Sequence, residues 1–209
     1  MQILQRARTT KAHFSIPYTT EQVLLMLDNA IKAEVELRGG EYSRDAEWRD
    51  ILTKVASWMT GNGKQWLMFM GNVGDGKTTV MRAMQRVINA AEIEKMSGNT
   101  FGYVTMKFYT AKSIADSYAN DQTSISPIIH QDIVGIDDIG AEPSEYAVYG
   151  NVLTPIADFM LEGYDRQTTC VFTTNLKGSE VRARYGARVA DRLNEMVERI
   201  IFPQKSFRK

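Results

Sequence analysis

The chain has 209 residues, 44% of them apolar, which suffices for one sizeable core with a small appendage. Its 25 basic and 25 acidic residues balance, so bulk charge gives no pull toward nucleic acid or a membrane surface, while a local basic patch stays open. The single cysteine, Cys170, excludes an intrachain disulfide and a cysteine-rich zinc site, and it fits a reducing, cytoplasmic compartment.

Residues 1–18 read as irregular and mildly basic, with Arg6, Arg8 and Lys11, and the start lacks the apolar core of a signal peptide. No run of about 18 apolar residues occurs, so no membrane-spanning helix is expected. Thr19-Thr20-Glu21-Gln22 offers a capping box for a helix whose apolar face is Val23, Leu24, Leu27, Ile31 and Val35. Gly39-Gly40 ends it. A second helix, from about Asp45 to Thr60, carries Trp48, Ile51, Leu52, Val55, Trp58 and Met59. The two helices are read either as a partner-binding arm or as packing on the core formed by the rest of the chain.

Gln65 to Met70 is a short apolar run, read as a buried strand. Gly71-Asn72-Val73-Gly74-Asp75-Gly76-Lys77-Thr78-Thr79 comes next and fits G-x-x-x-x-G-K-[ST], the Walker A phosphate loop. Glycines let the backbone curl so that successive N–H groups converge on one anion. Lys77 can reach the outer phosphates of ATP, and Thr78 offers a hydroxyl to Mg²⁺. A helix beginning at Lys77 aims its positive end at the same phosphates. Apolar residues at helical spacing after Thr79 supply that helix.

After the breaker Gly98-Asn99, the stretch Phe101 to Tyr109 reads as one strand and Thr110 to Tyr118 as a helix. Asp121 to Ser124 reads as loop and Pro127 to His130 as a connector. His130 and His13 are read as structural or exposed, since no ligand pattern surrounds them. Asp132 to Asp138 is an apolar strand ending in two carboxylates, the form of a Walker B motif. Such a strand delivers its acids to the sheet edge where α/β ligands bind. There Asp137 would hold Mg²⁺ and Asp138 would orient or deprotonate the attacking water.

Tyr149 to Tyr164 reads as a helix with Pro155 near its start, and Thr168 to Thr173 as a buried strand ending in Thr174-Asn175. Helices from Ser179 to Tyr185 and Ala187 to Glu198 flank Gly186, and Arg199 to Phe202 is a last short strand. Five core strands alternating with helices imply a parallel sheet covered on both faces.

With these residues in place the chain resembles the AAA+ ATPases of the DnaC/DnaI helicase-loader and IstB transposition-helper group. The resemblance covers roughly residues 64–209. It rests on the phosphate loop, on Ile136-Asp137-Asp138-Ile139-Gly140-Ala141-Glu142-Pro143 and on Thr173-Thr174-Asn175-Leu176. Tyr185-Gly186-Ala187-Arg188-Val189-Ala190-Asp191-Arg192-Leu193 and the closing Lys205-Ser206-Phe207-Arg208 add to it. It implies an α/β P-loop NTPase fold of the AAA+/ASCE type, with five strands in the order 5-1-4-3-2. It divides the chain into a helical N-terminal segment, 1–62, and an ATPase domain, 63–209. It implies that Asn175 is sensor 1, positioning the attacking water, and that Arg192 is an arginine finger offered to a neighbouring subunit, with Arg188 one turn earlier. On spacing alone, Arg188 and Arg192 can equally pair with Asp191 and Glu195 on a solvated helix.

The sequence also departs from the group. Asp75 stands where relatives often carry Thr or another small residue, and its charge is tolerable only if it points away from the phosphates. Gly163-Tyr164 stands where many relatives have Arg-Tyr, and the N-terminal segment lacks the cysteines of zinc-bearing loaders. The leading expectation is an ATP-driven loader that places a replicative helicase on single-stranded DNA. The alternatives are a transposition helper that recruits a transposase, and a nucleotide-binding adaptor with little turnover. A small-molecule kinase is disfavoured, because Asp137, Asp138 and Asn175 together form a water-activating set.

Overall fold

A computed structural model describes residues 13–43, 45–148 and 151–203. The basic start with Arg6, Arg8 and Lys11, and the closing Lys205 to Arg208, lie outside the described residues.

Helix α1, Thr20–Leu37, opens on the expected capping box: Thr19 accepts from the Gln22 N–H and Gln22 accepts from the Thr19 N–H. Helix α2, Ala46–Met59, is capped by Asp45, whose carboxylate accepts from the Trp48 N–H at 2.8 Å. Strand β1, Trp66–Met70, is buried throughout and leads into the phosphate loop and helix α3, Lys77–Ala90. Val23, Leu27 and Ile31 of α1 and all six expected apolar residues of α2 share one core cluster with Val80, Met81 and Met84 of α3. Both N-terminal helices therefore pack on the α3 face of the sheet.

The expected single strand from Phe101 to Tyr109 is corrected. It is a hairpin, β2 (Glu94–Ser97) with β3 (Thr100–Tyr103), followed by a separate strand β4, Met106–Thr110. Gly98, at φ 58, turns the hairpin, so its first strand lies in what reads as a helix tail. Asp132 draws the chain in between β3 and β4, accepting from the Thr105 N–H at 2.9 Å and pairing with Lys95. Helix α4, Ala111–Asn120, is capped by Thr110, and the expected connector at Pro127 is a short helix, α5, Ile125–Ile129. Strand β5, Ile133–Ile139, carries the acidic pair.

The helix expected from Tyr149 is also corrected. Residue 149 itself lies outside the described residues, but Tyr146–Val148 (β6) and Asn151–Leu153 (β7) form a second small hairpin. Helix α6, Pro155–Arg166, begins only at its proline. Proline lacks an N–H and forces the residue before it out of the helical region, and Thr154 sits at φ −123, ψ 68. Strand β8, Thr169–Thr174, helix α7, Gly178–Met196, and strand β9, Val197–Ile201, complete the chain. Gly186, at φ 86 and ψ 167, kinks α7 where the two helices were expected to part.

The parallel sheet runs β4-β5-β8-β1-β9. Counting core strands alone, that is 2-3-4-1-5, the expected order read from the other edge. Helices α4, α5, α6 and α7 cover the second face through a cluster that includes Trp66, Phe159 and Phe172. The register sets Met70 opposite Thr174, and Thr174 opposite Ile139. The C-terminal ends of β1, β8 and β5 are thereby level, and the loops that leave them meet at one edge.

Candidate nucleotide site

At that edge the loop after β1 folds back on itself. Gly76 caps α3 in the left-handed region, at φ 95, and the first hydrogen bond of the helix runs from the Val80 N–H to the Gly76 carbonyl. The N–H groups of Thr78 and Thr79 thus precede the helical ladder, the position from which a helix N-terminus can bind an anion. A Cβ on Gly71 would lie 2.1 Å from Asp75 Oδ2, so only glycine fits over that side chain. Asp75 is therefore tucked under the loop, beside Gly71, and is 1% exposed.

Lys77, 4% exposed, turns its ammonium into the same space. It donates to the Gly71 and Asn72 carbonyls at 3.1 and 2.6 Å, to Asp75 Oδ1 at 2.9 Å and to Asn175 Oδ1 at 2.9 Å. Asn175 follows β8, so sheet geometry joins the phosphate loop to the expected sensor position across 98 residues of sequence.

The Thr78 hydroxyl donates to Asp137 at 2.9 Å. A hydroxyl and a carboxylate side by side are hard oxygen donors, suited to Mg²⁺ sharing phosphate and water oxygens. The donor set therefore fits the expected ion. Strand β5 breaks register between Ile136 and Ile139 relative to β8, and Asp138 stands there at φ 55. A bulge of this kind re-aims side chains, and left-handed backbone in a non-glycine residue stores strain. It leaves Asp137 buried and Asp138 exposed, so the two acids serve different environments.

Two side chains without a role in the sequence reading organise this site. Buried Thr173 donates to Asp137 Oδ1 at 2.6 Å and accepts from the Asp138 N–H at 2.8 Å. Buried Glu142 accepts from the Gly140 N–H at 2.8 Å and from the Tyr185 hydroxyl at 2.6 Å, and it pairs with Arg184 at 3.3 Å. Burial, and next the hydrogen bond to Glu142, hold the Tyr185 phenol well above its ordinary pKa, so it stays a donor. The acidic motif after β5 is in this way tied to the first half of α7. Thr173 and Glu142 both lie within the motifs that carry the resemblance, but only contacts more than 30 residues apart reveal what they do.

Arg192 lies on the second half of α7, where its guanidinium stacks 4.2 Å from the Tyr164 ring centroid and donates to the Tyr164 hydroxyl at 3.1 Å. Glu195 is 3.8 Å away, so the local pairing left open by spacing is present with Glu195. Arg188 is exposed on the same segment. His130 bonds the Ser126 carbonyl and His13 the Phe14 and Lys64 carbonyls, in keeping with structural roles. Among the described residues, no group of three or more His, Cys, Asp or Glu side chains could hold a metal by itself, and no helix is long and apolar enough to cross a membrane.

No protein-family model matches the chain, and no curated protein matches it in sequence. Solved structures do match in fold. A crystal structure of the DnaC helicase loader is similar at TM-score 0.59 and 17% identity, covering 78% of this chain and 93% of that one. A DnaI crystal structure is similar at TM-score 0.56 and 14% identity, covering 92% and 98%. AMPPCP-bound DnaA from Aquifex aeolicus is similar at TM-score 0.51 and 11% identity over 76% of this chain and 48% of that one. The chain shares the fold of these structures, a five-stranded parallel sheet with helices on both faces.

Proposed function

We propose that the chain is a Mg²⁺-dependent ATPase that works in DNA replication as a DnaC-like loader, bringing a replicative helicase to single-stranded DNA in the cytoplasm. The reading rests on one observation: Lys77, Thr78, Asp137 and Asn175 meet at the level ends of β1, β5 and β8. Residues 71–79 wrap the phosphates with backbone N–H groups. Lys77 binds the outer phosphates, and Thr78 and Asp137 hold Mg²⁺, with Thr173 fixing the Asp137 carboxylate. When bound there, the ion would supply neutralisation of phosphate charge. Asp138 orients the attacking water and Asn175 positions it near the γ-phosphate. Arg192 serves the site of a neighbouring subunit by self-association, the role that the resemblance implies for it.

The nucleotide reading is tested by melting the protein with and without Mg²⁺-ATP. Ligand that binds only the folded state must raise the melting temperature. A rise in the wild type and none in Lys77→Ala is expected; no rise in the wild type overturns the proposal. The partner reading is tested by pull-down from the source cell, scored for a hexameric helicase. Recovery of a transposase instead favours an IstB-like transposition helper. A third reading, an adaptor that holds nucleotide with little turnover, is favoured by the Asp75–Lys77 ion pair inside the loop.

A further inference from the structure

The N-terminal helix reaches the phosphate-binding turn. Helix α1 runs antiparallel to α3: Glu34 of α1 meets Arg86 well along α3, and Arg38, the residue that caps the C-terminal end of α1, meets Thr79 in the first turn of α3. The Arg38 guanidinium donates to Thr79 Oγ1 at 3.5 Å. It is held there by Glu34, whose carboxylate is 3.4 Å from Arg38 and 2.6 Å from Arg86. Glu34 is 5% exposed, so its position is set by packing rather than by solvent. One carboxylate shared by two guanidinium groups leaves a net positive charge beside Thr79. Arg38 has nitrogens to spare, since a guanidinium carries five N–H donors. The antiparallel packing also brings the negative end of α1 close to the positive end of α3, and Arg38 offsets that negative end.

We infer that Arg38 is a further nucleotide-binding residue, donated by α1 to the phosphate chain on the Thr79 side of the loop. The inference rests on the proposed nucleotide site and names a contact within it. Lys77 and Thr78 are committed to the outer phosphates and the metal. The next residue of the turn therefore faces the inner part of a nucleoside di- or triphosphate, and Arg38 neutralises charge there. The contact makes α1 responsive to occupancy: bound nucleotide ties the C-terminal end of α1 to α3 more firmly than Thr79 alone.

The test is titration calorimetry of the full chain with ADP and with ATP, beside melting without nucleotide. Arg38→Ala is expected to weaken both nucleotides by the same factor, roughly tenfold for a charge-assisted hydrogen bond at a half-exposed position. Its melting temperature without nucleotide is expected to stay near that of the wild type, because the Arg38 end of the pair is half-exposed and buried Glu34 keeps its shorter pair with Arg86. In the wild type, ADP is expected to slow amide exchange at residues 35–40, and in Arg38→Ala it is not. Equal nucleotide affinity in Arg38→Ala and wild type overturns this inference and leaves the proposed function standing. A loss confined to ATP overturns the placement at the inner phosphate. A loss that comes with a fall in the nucleotide-free melting temperature assigns Arg38 to the α1–α3 junction and also overturns it. A wild type that binds neither nucleotide removes the site itself.

Discussion

Asp75 and Lys77 form an ion pair of 2.9 Å inside the phosphate loop, and neither side chain is more than 5% exposed. The ammonium has three protons, and Gly71, Asn72, Asp75 and Asn175 all accept from it. An incoming phosphate must displace one of them. Asp75→Asn keeps the shape that fits against Gly71 and removes the charge. It is expected to tighten ATP binding by roughly tenfold, the scale of one charge-assisted hydrogen bond freed for phosphate. It is also expected to lower the melting temperature without nucleotide, since a buried ammonium loses its counter-charge. Weaker ATP binding in this variant would make Asp75 a support for Lys77 and not a competitor.

Asp137 and Asp138 are expected to separate metal binding from chemistry. Asp138→Asn should retain ATP and stop hydrolysis, because the water loses its orienting carboxylate. Asp137→Asn should raise the Mg²⁺ concentration needed for half-maximal turnover. Wild-type hydrolysis rates in Asp138→Asn would remove Asp138 from the catalytic residues.

Thr173→Val tests the hydroxyl that joins the two acids. The substitution keeps the shape and removes a donor to Asp137 and an acceptor for the Asp138 N–H. Stability should fall by about 1–3 kcal/mol, the cost of an orphaned buried partner. The Mg²⁺ requirement should rise as it does for Asp137→Asn, but by less. An unchanged Mg²⁺ dependence would confine Thr173 to the packing of β8 on β5.

Glu142→Ala should loosen α7, because Arg184 and Tyr185 lose their shared acceptor. Breaking a buried ion pair costs about 3–5 kcal/mol. The expected result is a lower melting temperature together with loss of any turnover that depends on Arg192, which rides on the same helix. Loss of stability with concentration-dependent turnover intact would show that the two halves of α7 act independently across Gly186.

Arg192→Ala should bind ATP normally and lose the turnover gained at high protein concentration or with DNA. An arginine finger acts on transition-state charge and not on ground-state binding. Mixing Arg192→Ala with Lys77→Ala should restore part of the rate, each supplying what the other lacks. Turnover independent of concentration, with no recovery in the mixture, would return Arg192 to its local role beside Tyr164 and Glu195.

The phosphate loop, the acids at the end of β5, the core strands other than β4 and the kink at Gly186 were legible in the sequence. Each is a local pattern: a glycine spacing, an apolar run, a breaker between helical stretches. The two small hairpins were not. Strands of three or four residues are too short to show alternation against neighbouring helical spacing, and only pairing defines them. Nor could spacing assign Thr173, Glu142 or Arg38, since each acts on a partner tens of residues away. For Asp75 the sequence supplied the charge and the condition that it point away from the phosphates. Tertiary structure decided where it points, because the missing Cβ of Gly71 opens the space beneath the loop and Lys77 supplies the counter-charge there.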